Sequence, residues 1–391
     1  MNLLIVQYGG DYREAFRRLA EGGDETYHAQ KYVINSVTEI GAQMGEVTFL
    51  CCKTAEFYNE RLQDGFRAIG AGLNPDQETQ KLINLIAAQK PTHLVIHAPI
   101  REVFRWAVRK QIKTIGLLAD SFLKQGLRRN IRNYRLSRLL NNPQIDWVAN
   151  HGLNACRSLQ QIGVNPEKII PWDWPHTITP ASLSAKTLRR EGDPWTLMYV
   201  GLVGESKGVG DILTALAHLK RNGLPFTLKI AGKGKIDYFS QRVHQFNLED
   251  SVEFLGLTPH HKIVPLMREA DVVLIPSRHN YPEGLPLTIY EAFSSRTPIV
   301  ASDHPMFQGN LLHEVNAMVF PAGDSAALAA CIQKLLSDPA LYHQLSHASY
   351  EAWEKLQISV KWAELISRWV NDAPMDREWL FEHRLASGRY H

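Results

Sequence analysis

The sequence predicts an α/β protein of two doubly wound, Rossmann-like domains that face each other across a cleft. Short apolar runs alternate with longer helical patterns along both halves of the 391 residues. That alternation is typical of right-handed βαβ units on parallel sheets. It stops over 170–192, where prolines and polar residues follow one another without periodicity. We therefore expect an interdomain connection there.

Each half supplies its own series of elements. In the second half, Asp211–Arg221 is a predicted helix because Ile212, Leu216 and Leu219 form one apolar face. The predicted strands are Leu3–Gln7, Val47–Cys51, His93–His97, Thr114–Leu118 and Trp147–Ala149, then Thr196–Val200, Thr227–Ala231, Val252–Leu255, Val272–Pro276 and Pro298–Ala301; the first-half helices include Tyr27–Gly41 and Glu78–Gln89.

Composition excludes several classes of protein. A net charge of +3 is too small for a dedicated nucleic-acid binder, and four scattered cysteines suit neither a disulfide framework nor a zinc site. No segment approaches the roughly 20 apolar residues that span a bilayer. The first residues, MNLLIVQYGG, lack the basic start of a signal peptide. We therefore expect a cytoplasmic enzyme or binding protein.

The first candidate site is the glycine-rich turn Gly201–Asp211 between a predicted strand and a helix. Glycines such as Gly204 let the backbone approach a ligand, and a helix N-terminus offers N–H groups to a phosphate. Lys207 adds a positive charge. The spacing is neither that of a Walker A loop nor G-x-G-x-x-G, so phosphate binding and a simple tight turn both stay open.

The second candidate site follows the predicted strand that ends at Pro276. Glu283 and Glu291 lie on either side of a helix start near Leu287 and Thr288, whose N–H groups can hold an anion. Glu291 can accept hydrogen bonds from ribose hydroxyls, and Glu283 can meet sugar hydroxyls. Alternatively, Thr288-x-x-Glu291 is a capping box that only closes the helix, and Glu283 is a solvated loop carboxylate.

Several segments of the second half resemble the retaining GT-B glycosyltransferases of family 4, also named glycosyl transferases group 1. The resemblance is specific across about 196–340 and follows the family's order and spacing. The matching segments are EGLPL at 283–287 and EAF at 291–293 for the pattern E-x7-E, RTPIVA at 296–301 for G-x-P-V-V-A, AD at 270–271, PS at 276–277, KG at 207–208, Gly232 and Gly234, FLG at 254–256, and VFPAGD at 319–324.

The resemblance implies the roles of individual residues. Donor ligands would be Gly204, Lys207, Gly232, Pro276, Glu283, Gly284, Leu285, Pro286, Leu287, Thr288 and Glu291, with Gly22 and Gly23 closing over the donor diphosphate. Catalysis would involve Glu283, Lys207 and Asp120, and the acceptor side would include His97, Asp120 and Arg128. The implied domains are an acceptor domain at 1–175, a linker at 176–194, a donor domain at 195–355, and C-terminal helices at 356–391 that cross back to the N-domain.

This chain departs from the family at two positions. Leu202 stands where the family carries an arginine that clamps the diphosphate, and Lys233, Lys235 or Arg278 is a candidate replacement. Asp120 stands near the place of a family histidine aimed at the donor sugar. It could hydrogen-bond sugar or acceptor hydroxyls, or it could be a helix N-cap.

The segment 121–138 is basic and amphipathic. Its cations are Lys124, Arg128, Arg129, Arg132, Arg135 and Arg138, and its apolar residues are Phe122, Leu123, Leu127 and Ile131. Such stretches suit anionic membrane surfaces. A solvated helix face or a lip of the acceptor cleft is the alternative.

The sequence therefore predicts a retaining hexosyltransferase that moves a sugar from a UDP- or GDP-sugar to an acceptor hydroxyl. The acceptor would be a small molecule, a glycan or a lipid-linked glycan, and the enzyme could bind the inner face of the membrane. No D-x-D triad occurs, so we expect no obligatory metal and no cofactor besides the nucleotide sugar. An epimerase of similar fold, a silent sugar-nucleotide-binding partner subunit and a solute-binding protein are the alternatives.

Overall fold

A computed structural model describes residues 1–123, 126–189 and 192–390. The chain forms two compact units: unit 1 is Met1–Pro175 with Ile358–His391, and unit 2 is His176–Gln357. Each unit is a mainly parallel sheet with helices on both faces, and the C-terminal helices pack on unit 1. The predicted fold class of two doubly wound α/β domains is confirmed.

Unit 1 holds an eight-stranded sheet in the order β3-β4-β2-β1-β5-β6-β7-β8. All neighbours are parallel except the antiparallel pair β3 and β4 at one edge. The strands are β1 Leu3–Gly9, β2 Val47–Lys53, β3 Tyr58–Gln63, β4 Phe66–Gly70, β5 His93–Ile96, β6 Lys113–Leu118, β7 Ile145–His151 and β8 Ile169–Trp172.

Unit 2 holds a six-stranded parallel sheet in the order β11-β10-β9-β12-β13-β14. Counted within the unit, this is the Rossmann order 3-2-1-4-5-6. The strands are β9 Trp195–Val200, β10 Phe226–Ala231, β11 Val252–Gly256, β12 Val272–Ile275, β13 Ile299–Ser302 and β14 Met318–Phe320.

Fourteen α-helices occur in the described ranges, eight of them in unit 1. They are α1 Tyr12–Ala20, α2 Gln30–Met44, α3 Thr79–Ala88, α4 Arg101–Arg109, α5 Gly126–Leu140, α6 Leu153–Gln161, α7 Val209–Arg221, α8 Ile236–Gln245, α9 His260–Glu269, α10 Leu287–Ser295, α11 Ser325–Ser337, α12 Pro339–Leu356, α13 Trp362–Asn371 and α14 Pro374–Glu382.

Both faces of the unit 1 sheet are buried, which explains why its strands read as continuous apolar runs. Leu3 and Ile5 of β1 point into one core and Leu4 and Val6 into the other, as the two-residue period of a strand requires. The C-terminal helix α13 covers the first of these cores, where Trp362 is fully buried. The last segment of the chain therefore completes the hydrophobic core of unit 1.

Two local predictions were wrong. The stretch from Ile170 was expected to be a connection, but β8 continues to Trp172. Pro171 obscured this strand, and it is tolerated because β8 lies at the sheet edge, where a missing N–H costs no ladder bond. The helix expected at Asp211 begins at Val209, directly after Gly208 in a left-handed conformation.

No helix in the described ranges is both long enough and apolar enough to cross a bilayer.

Candidate functional site

The candidate site lies at the carboxyl ends of the unit 2 strands. Strands β9 and β12 are neighbours in the centre of the sheet, and the strand order reverses between them. Doubly wound sheets bind ligands in the crevice at this switch point. The loop after β9 carries Lys207 and the loop after β12 carries Glu283. The fold thus brings these two predicted residues to one crevice.

Glycines allow the loops above the switch point to pack backbone against backbone. A Cβ on Gly208 would lie 2.1 Å from the carbonyl oxygen of Pro276, and a Cβ on Gly232 would lie 1.8 Å from that of Gly201. Any side chain at either glycine would force the loops apart. Gly204 has no neighbour within 4 Å of such a Cβ. Its backbone is therefore open to a ligand.

Lys207 and Glu283 form a nearly buried ion pair. The Lys207 ammonium donates to Oε1 of Glu283, which also accepts a 2.5 Å hydrogen bond from the hydroxyl of Ser277. The two side chains are only 13% and 7% exposed. The alternative that Glu283 is a solvated loop carboxylate is therefore wrong. Its Oε2 accepts no hydrogen bond from the described residues, so this oxygen can receive a ligand hydroxyl.

Tyr281 and His304 fix the loop that carries Glu283. The Tyr281 ring lies 4.5 Å from the Lys207 ammonium, and the Tyr281 carbonyl accepts a 2.9 Å bond from the Glu283 N–H. His304 Nδ1 accepts from Met306 N–H, so its Nε2 carries the proton and donates to the Tyr281 carbonyl at 3.1 Å. Burial lowers the pKa of His304, which keeps the ring neutral. Sequence reasoning missed both residues.

Helix α10 presents unpaired backbone donors to the crevice. It begins at Leu287 after Pro286, which supplies no side-chain cap. The N–H groups of Leu287 and Thr288 donate to no acceptor among the described residues. Gly284 and Leu285 lie buried just before them. The start of α10 can therefore hold an anion, as the sequence predicts.

Glu291 is not a capping residue. Thr288 is the second residue inside α10 and so cannot be its N-cap, which makes the capping-box alternative wrong. The carboxylate of Glu291 instead pairs with His260 at the start of α9, with Nε2 2.9 Å from Oε1. The Glu291 side chain is 11% exposed. His260 is a third residue that sequence reasoning missed, since it lies 31 positions away from Glu291 along the chain.

The structure distinguishes the three candidate replacements for the missing arginine. Leu202 is uncharged and 45% exposed, so a second cation for the diphosphate must come from another residue. Arg278 is committed to Asp211 through two hydrogen bonds, of 2.8 Å from Nε and 2.5 Å from Nη2. The side chains of Lys233 and Lys235 are exposed and make no contact with an acid in the described residues. The two lysines therefore remain available to a ligand.

The start of α7 already holds two carboxylates. Asp211 lies in its first turn, and a Cβ on Gly210 would lie 2.5 Å from a carboxylate oxygen of Glu205. Arg242 and Arg278 neutralise these acids. The start of α7, which the sequence predicted at Asp211, is therefore a less favourable phosphate site than the start of α10.

His97 follows β5 at the carboxyl edge of the unit 1 sheet. Its Nε2 accepts a 3.0 Å hydrogen bond from the indole N–H of Trp362. An indole nitrogen can only donate, so the His97 proton lies on Nδ1. Burial lowers the pKa of His97 to about 3. His97 is therefore a neutral hydrogen-bond donor, and its role toward an acceptor stays a prediction.

Asp120 follows β6 at the same edge. Residues 121–123 are not helical and α5 begins at Gly126, so the N-cap alternative for Asp120 is wrong. Burial raises the pKa of Asp120 to about 6. Such a carboxyl group can exchange a proton near neutral pH, and its predicted contact with hydroxyl groups stays a prediction.

Gly22 and Gly23 follow the C-terminal end of α1, which ends at Ala20. The Gly23 N–H donates to the carbonyl of Arg18 at 2.8 Å, and the Gly22 N–H donates to that of Leu19 at 3.2 Å. Gly22 is left-handed, with φ of 81°. These bonds are typical of a glycine C-cap. They account for both glycines locally, and closure over a diphosphate stays a prediction.

Helix α5 exposes part of the basic segment 121–138. Leu127, Ile131 and Tyr134 are 77%, 45% and 61% exposed, although they are large and apolar. Phe122, which was expected on the same apolar side, is buried in the core. The exposed cations beside the stripe are Arg128, Arg132, Arg135 and Arg138, whereas Lys124 lies outside the described residues.

Among the described residues, no group of three or more His, Cys, Asp or Glu side chains is arranged to hold a metal ion. The four cysteines are buried thiols.

The family match lies within unit 2. Residues 183–352 match the family described as glycosyl transferases group 1. The chain is similar to the amylovoran biosynthesis glycosyltransferase AmsK of Erwinia amylovora, at 30% identity over 162 residues, which are 40% of each chain. It is also similar to a glycogen synthase of Mycobacterium tuberculosis, at 28% identity over 199 residues, or 49% of this chain and 47% of that one. The matches thus span less than half the length of these curated relatives.

Similar solved structures cover almost the whole chain. Sucrose-phosphate synthase from Thermosynechococcus elongatus has a TM-score of 0.68 and 19% identity, over 97% of this chain and 99% of that one. Anabaena HepE in complex with UDP-glucose has a TM-score of 0.64 and 14% identity, also over 97% and 99%. At these identities the likeness shows the fold.

Proposed function

From the match of residues 183–352 to the glycosyl transferases group 1 family, we propose that the chain transfers a sugar from a nucleoside diphosphate sugar to an acceptor hydroxyl. The donor is a UDP- or GDP-sugar, and the anomeric configuration is retained. Unit 2 binds the donor and unit 1 binds the acceptor. The relative AmsK is itself a glycosyltransferase, which favours this reaction over epimerisation.

One observation carries the proposal. Lys207, Glu283, Glu291 and the unpaired N–H groups at the start of α10 all belong to the loops and helix around the β9–β12 switch point. A cation and helix N–H groups suit a diphosphate, while two buried carboxylates suit hydroxyl groups. We assign the diphosphate to Lys207 and α10, the ribose to Glu291, and the transferred sugar to Glu283.

The reaction breaks the bond between the anomeric carbon and the diphosphate oxygen. The acceptor oxygen attacks from the same face, and its proton passes to the departing diphosphate. The chain contributes by positioning the two substrates and by stabilising negative charge on the leaving group. Lys207 and the Leu287 and Thr288 N–H groups provide that stabilisation, so the reaction needs no obligatory metal. Lys207 and Glu283 are paired in the unliganded site. When the donor binds, the Lys207 ammonium must therefore contact both Glu283 and a phosphate oxygen.

Lys233 or Lys235 supplies the second positive charge for the diphosphate, in place of the arginine that is missing at Leu202. Both follow β10, whose end packs against the Gly201 loop through the close contact at Gly232. Arg278 is a poor candidate, because a phosphate would have to displace Asp211. The acceptor contacts His97 and Asp120, and Gly22 and Gly23 close over the donor.

We also propose reversible contact with an anionic membrane on the cytoplasmic side, through α5. The exposed Leu127, Ile131 and Tyr134 stripe and its flanking arginines support this contact. A lipid-linked glycan would then be the acceptor presented to Arg128 at the surface. Small-molecule and soluble glycan acceptors remain in the proposal as the other acceptor classes.

A donor screen tests the proposed function. Thermal unfolding is followed with UDP, GDP, UDP-glucose, UDP-galactose, UDP-N-acetylglucosamine and GDP-mannose. One nucleotide series should stabilise the protein, by roughly 2.7 kcal/mol at 100 times its Kd. Lys207→Ala should weaken this response, whereas Lys220→Ala, a matched lysine at the far end of α7, should leave it unchanged. A lack of response to every nucleotide would contradict the proposal.

A further inference from the structure

Arg296 occupies a backbone conformation that suits glycine. It follows the last turn of α10 in the left-handed region, with φ of 62°. A residue with a Cβ takes this conformation only at a cost, whereas glycine takes it freely. In this chain the position is held by the arginine of Arg296-Thr297-Pro298. The arginine is therefore unfavourable for the local backbone.

The guanidinium group of Arg296 adds a second unfavourable feature. The residue is only 8% exposed, and its Nε and Nη1 atoms are buried without any hydrogen-bond partner. A guanidinium stays charged in proteins, and buried charges are normally paired. The ring of Tyr350, 5.6 Å from the guanidinium carbon, provides a cation–π contact that compensates only in part.

Two further cations surround the same end of α10. Arg268 donates from Nη1 to the carbonyl of Ser295 at 3.2 Å, and Lys186 donates from Nζ to the carbonyl of Arg268 at 2.8 Å. Lys186 and Arg268 thus use carbonyl oxygens as partners, as cations at a helix C-terminus commonly do, whereas Arg296 does not.

No carboxylate balances this cluster among the described residues. Asp271, which attracts Lys186 electrostatically, is already paired with Arg189 at 3.2 Å. Burial lowers the pKa of Arg296, and the neighbouring charge of Arg268 lowers it further. The cluster of Lys186, Arg268 and Arg296 therefore carries an excess of positive charge.

We propose that Arg296, with Arg268 beside it, binds a phosphate-type oxyanion at the C-terminal end of α10. A tetrahedral oxyanion can accept hydrogen bonds from a guanidinium fork and balance the charges of both arginines. The Tyr350 ring lies 5.6 Å from the Arg296 guanidinium carbon and is 39% exposed, so the proposed ligand would enter beside Tyr350 from the solvent side. The ligand would explain an arginine at a position where the backbone conformation favours glycine.

This oxyanion site is distinct from the site at the switch point. Helix α10 has 9 residues, so its two ends lie about 13 Å apart. The candidate donor diphosphate lies at the start of α10, and the Arg296 cluster lies at its end. The inference does not depend on the proposed glycosyl transfer, because neither Arg296 nor Arg268 is part of that machinery.

The test compares wild type with Arg296→Gly by thermal unfolding in inorganic phosphate, with chloride holding the ionic strength constant. Wild type should gain about 2 °C in Tm at ten times the Kd of phosphate. Arg296→Gly should lose this gain, yet without phosphate its Tm should equal or exceed that of wild type, because glycine relieves the backbone and removes the unpaired guanidinium.

The variant Lys207→Ala distinguishes phosphate bound near Arg296 from phosphate bound at the switch point. This variant should keep the gain in Tm that depends on Arg296. Two further probes distinguish the sources of the oxyanion. Glucose 6-phosphate should reproduce the gain if the ligand is a free phosphomonoester. If it is a lipid headgroup, phosphatidylglycerol vesicles should still retain a variant with Arg128, Arg132 and Arg135 changed to Gln, which lacks the α5 contact, and should lose it when Arg296→Gly is added.

Equal phosphate gains in wild type and Arg296→Gly, or no gain in wild type with any probe, would overturn the proposal. So would a lower Tm of Arg296→Gly in phosphate-free buffer, since Arg296 would then be a structural residue. None of these results would affect the nucleotide response in the donor screen, so the two proposals fail independently.

Discussion

The substitution Glu291→Gln separates ligand binding from structural support at α10. Glutamine keeps the shape of the side chain, and its amide oxygen can still accept the hydrogen bond from His260. The change therefore removes the negative charge and little else. Because Glu291 makes no capping bond, we expect the free energy of unfolding to change by less than about 1 kcal/mol.

The nucleotide affinity should respond much more strongly. If the carboxylate accepts hydrogen bonds from ribose hydroxyls, its neutral replacement loses a charge-assisted bond of about 1.5–3 kcal/mol. That loss corresponds to a roughly 10- to 150-fold increase in the Kd of the nucleoside diphosphate. The Glu291 side chain is 11% exposed, so water replaces the lost interaction poorly.

Isothermal titration of the best nucleotide from the donor screen measures this Kd, and urea unfolding measures stability. Thr288→Ala is the matched control, because a capping threonine would lose about 0.5–2 kcal/mol of stability. Thr288 lies inside α10, so we expect a smaller loss. If Glu291→Gln binds nucleotide within about twofold of wild type while remaining folded, Glu291 does not hold the ribose.

Four further outcomes are expected. Glu283→Ala should abolish most sugar transfer while the bare nucleoside diphosphate still binds, and unchanged turnover would remove Glu283 from the site. Activity in excess chelator should equal activity with magnesium, whereas a complete loss that metal restores would refute leaving-group stabilisation by Lys207 and α10. Changing Arg128, Arg132 and Arg135 together to Gln should abolish co-sedimentation with anionic vesicles at low salt and spare nucleotide binding; wild type that stays in the supernatant would exclude membrane contact. The pKa of Asp120 is about 6 in the folded protein, against an ordinary value of 3.8, so its stabilising contribution is present below about pH 4 and is lost as pH rises through 6, by up to about 3 kcal/mol. Asp120→Asn should therefore be more stable than wild type in urea unfolding at pH 7, and equal stability of the two proteins would contradict the raised pKa.

The unliganded crevice gives the proposed chemistry a specific requirement. Lys207 and Glu283 neutralise each other there, so a donor must bring its negative diphosphate and its sugar hydroxyls together to satisfy both. A bare nucleoside diphosphate satisfies only Lys207. This arrangement favours the complete nucleotide sugar over the free nucleotide, because each half of the donor compensates one member of the ion pair.

The sequence by itself determined the elements that depend on local patterns. Continuous apolar runs specified strands that are buried on both faces, and Lys207, Glu283 and Glu291 stood in segments with recognisable spacing. The edge strands were harder to identify. In β8 a proline interrupts the apolar run, and β3 has a single buried residue, Tyr58, because edge strands need little apolar surface.

Only the tertiary structure decided which partners these residues have. The contacts of Glu283 with Ser277, and of Glu291 with His260, join residues on different loops and helices, and no periodicity in the sequence records such distances. Burial is likewise a property of the folded chain, so the tautomer of His97 and the raised pKa of Asp120 could not be derived from residue type. The local sequence fixes what a segment can form, and the packing of distant segments fixes the charge, the donors and the accessibility of each side chain.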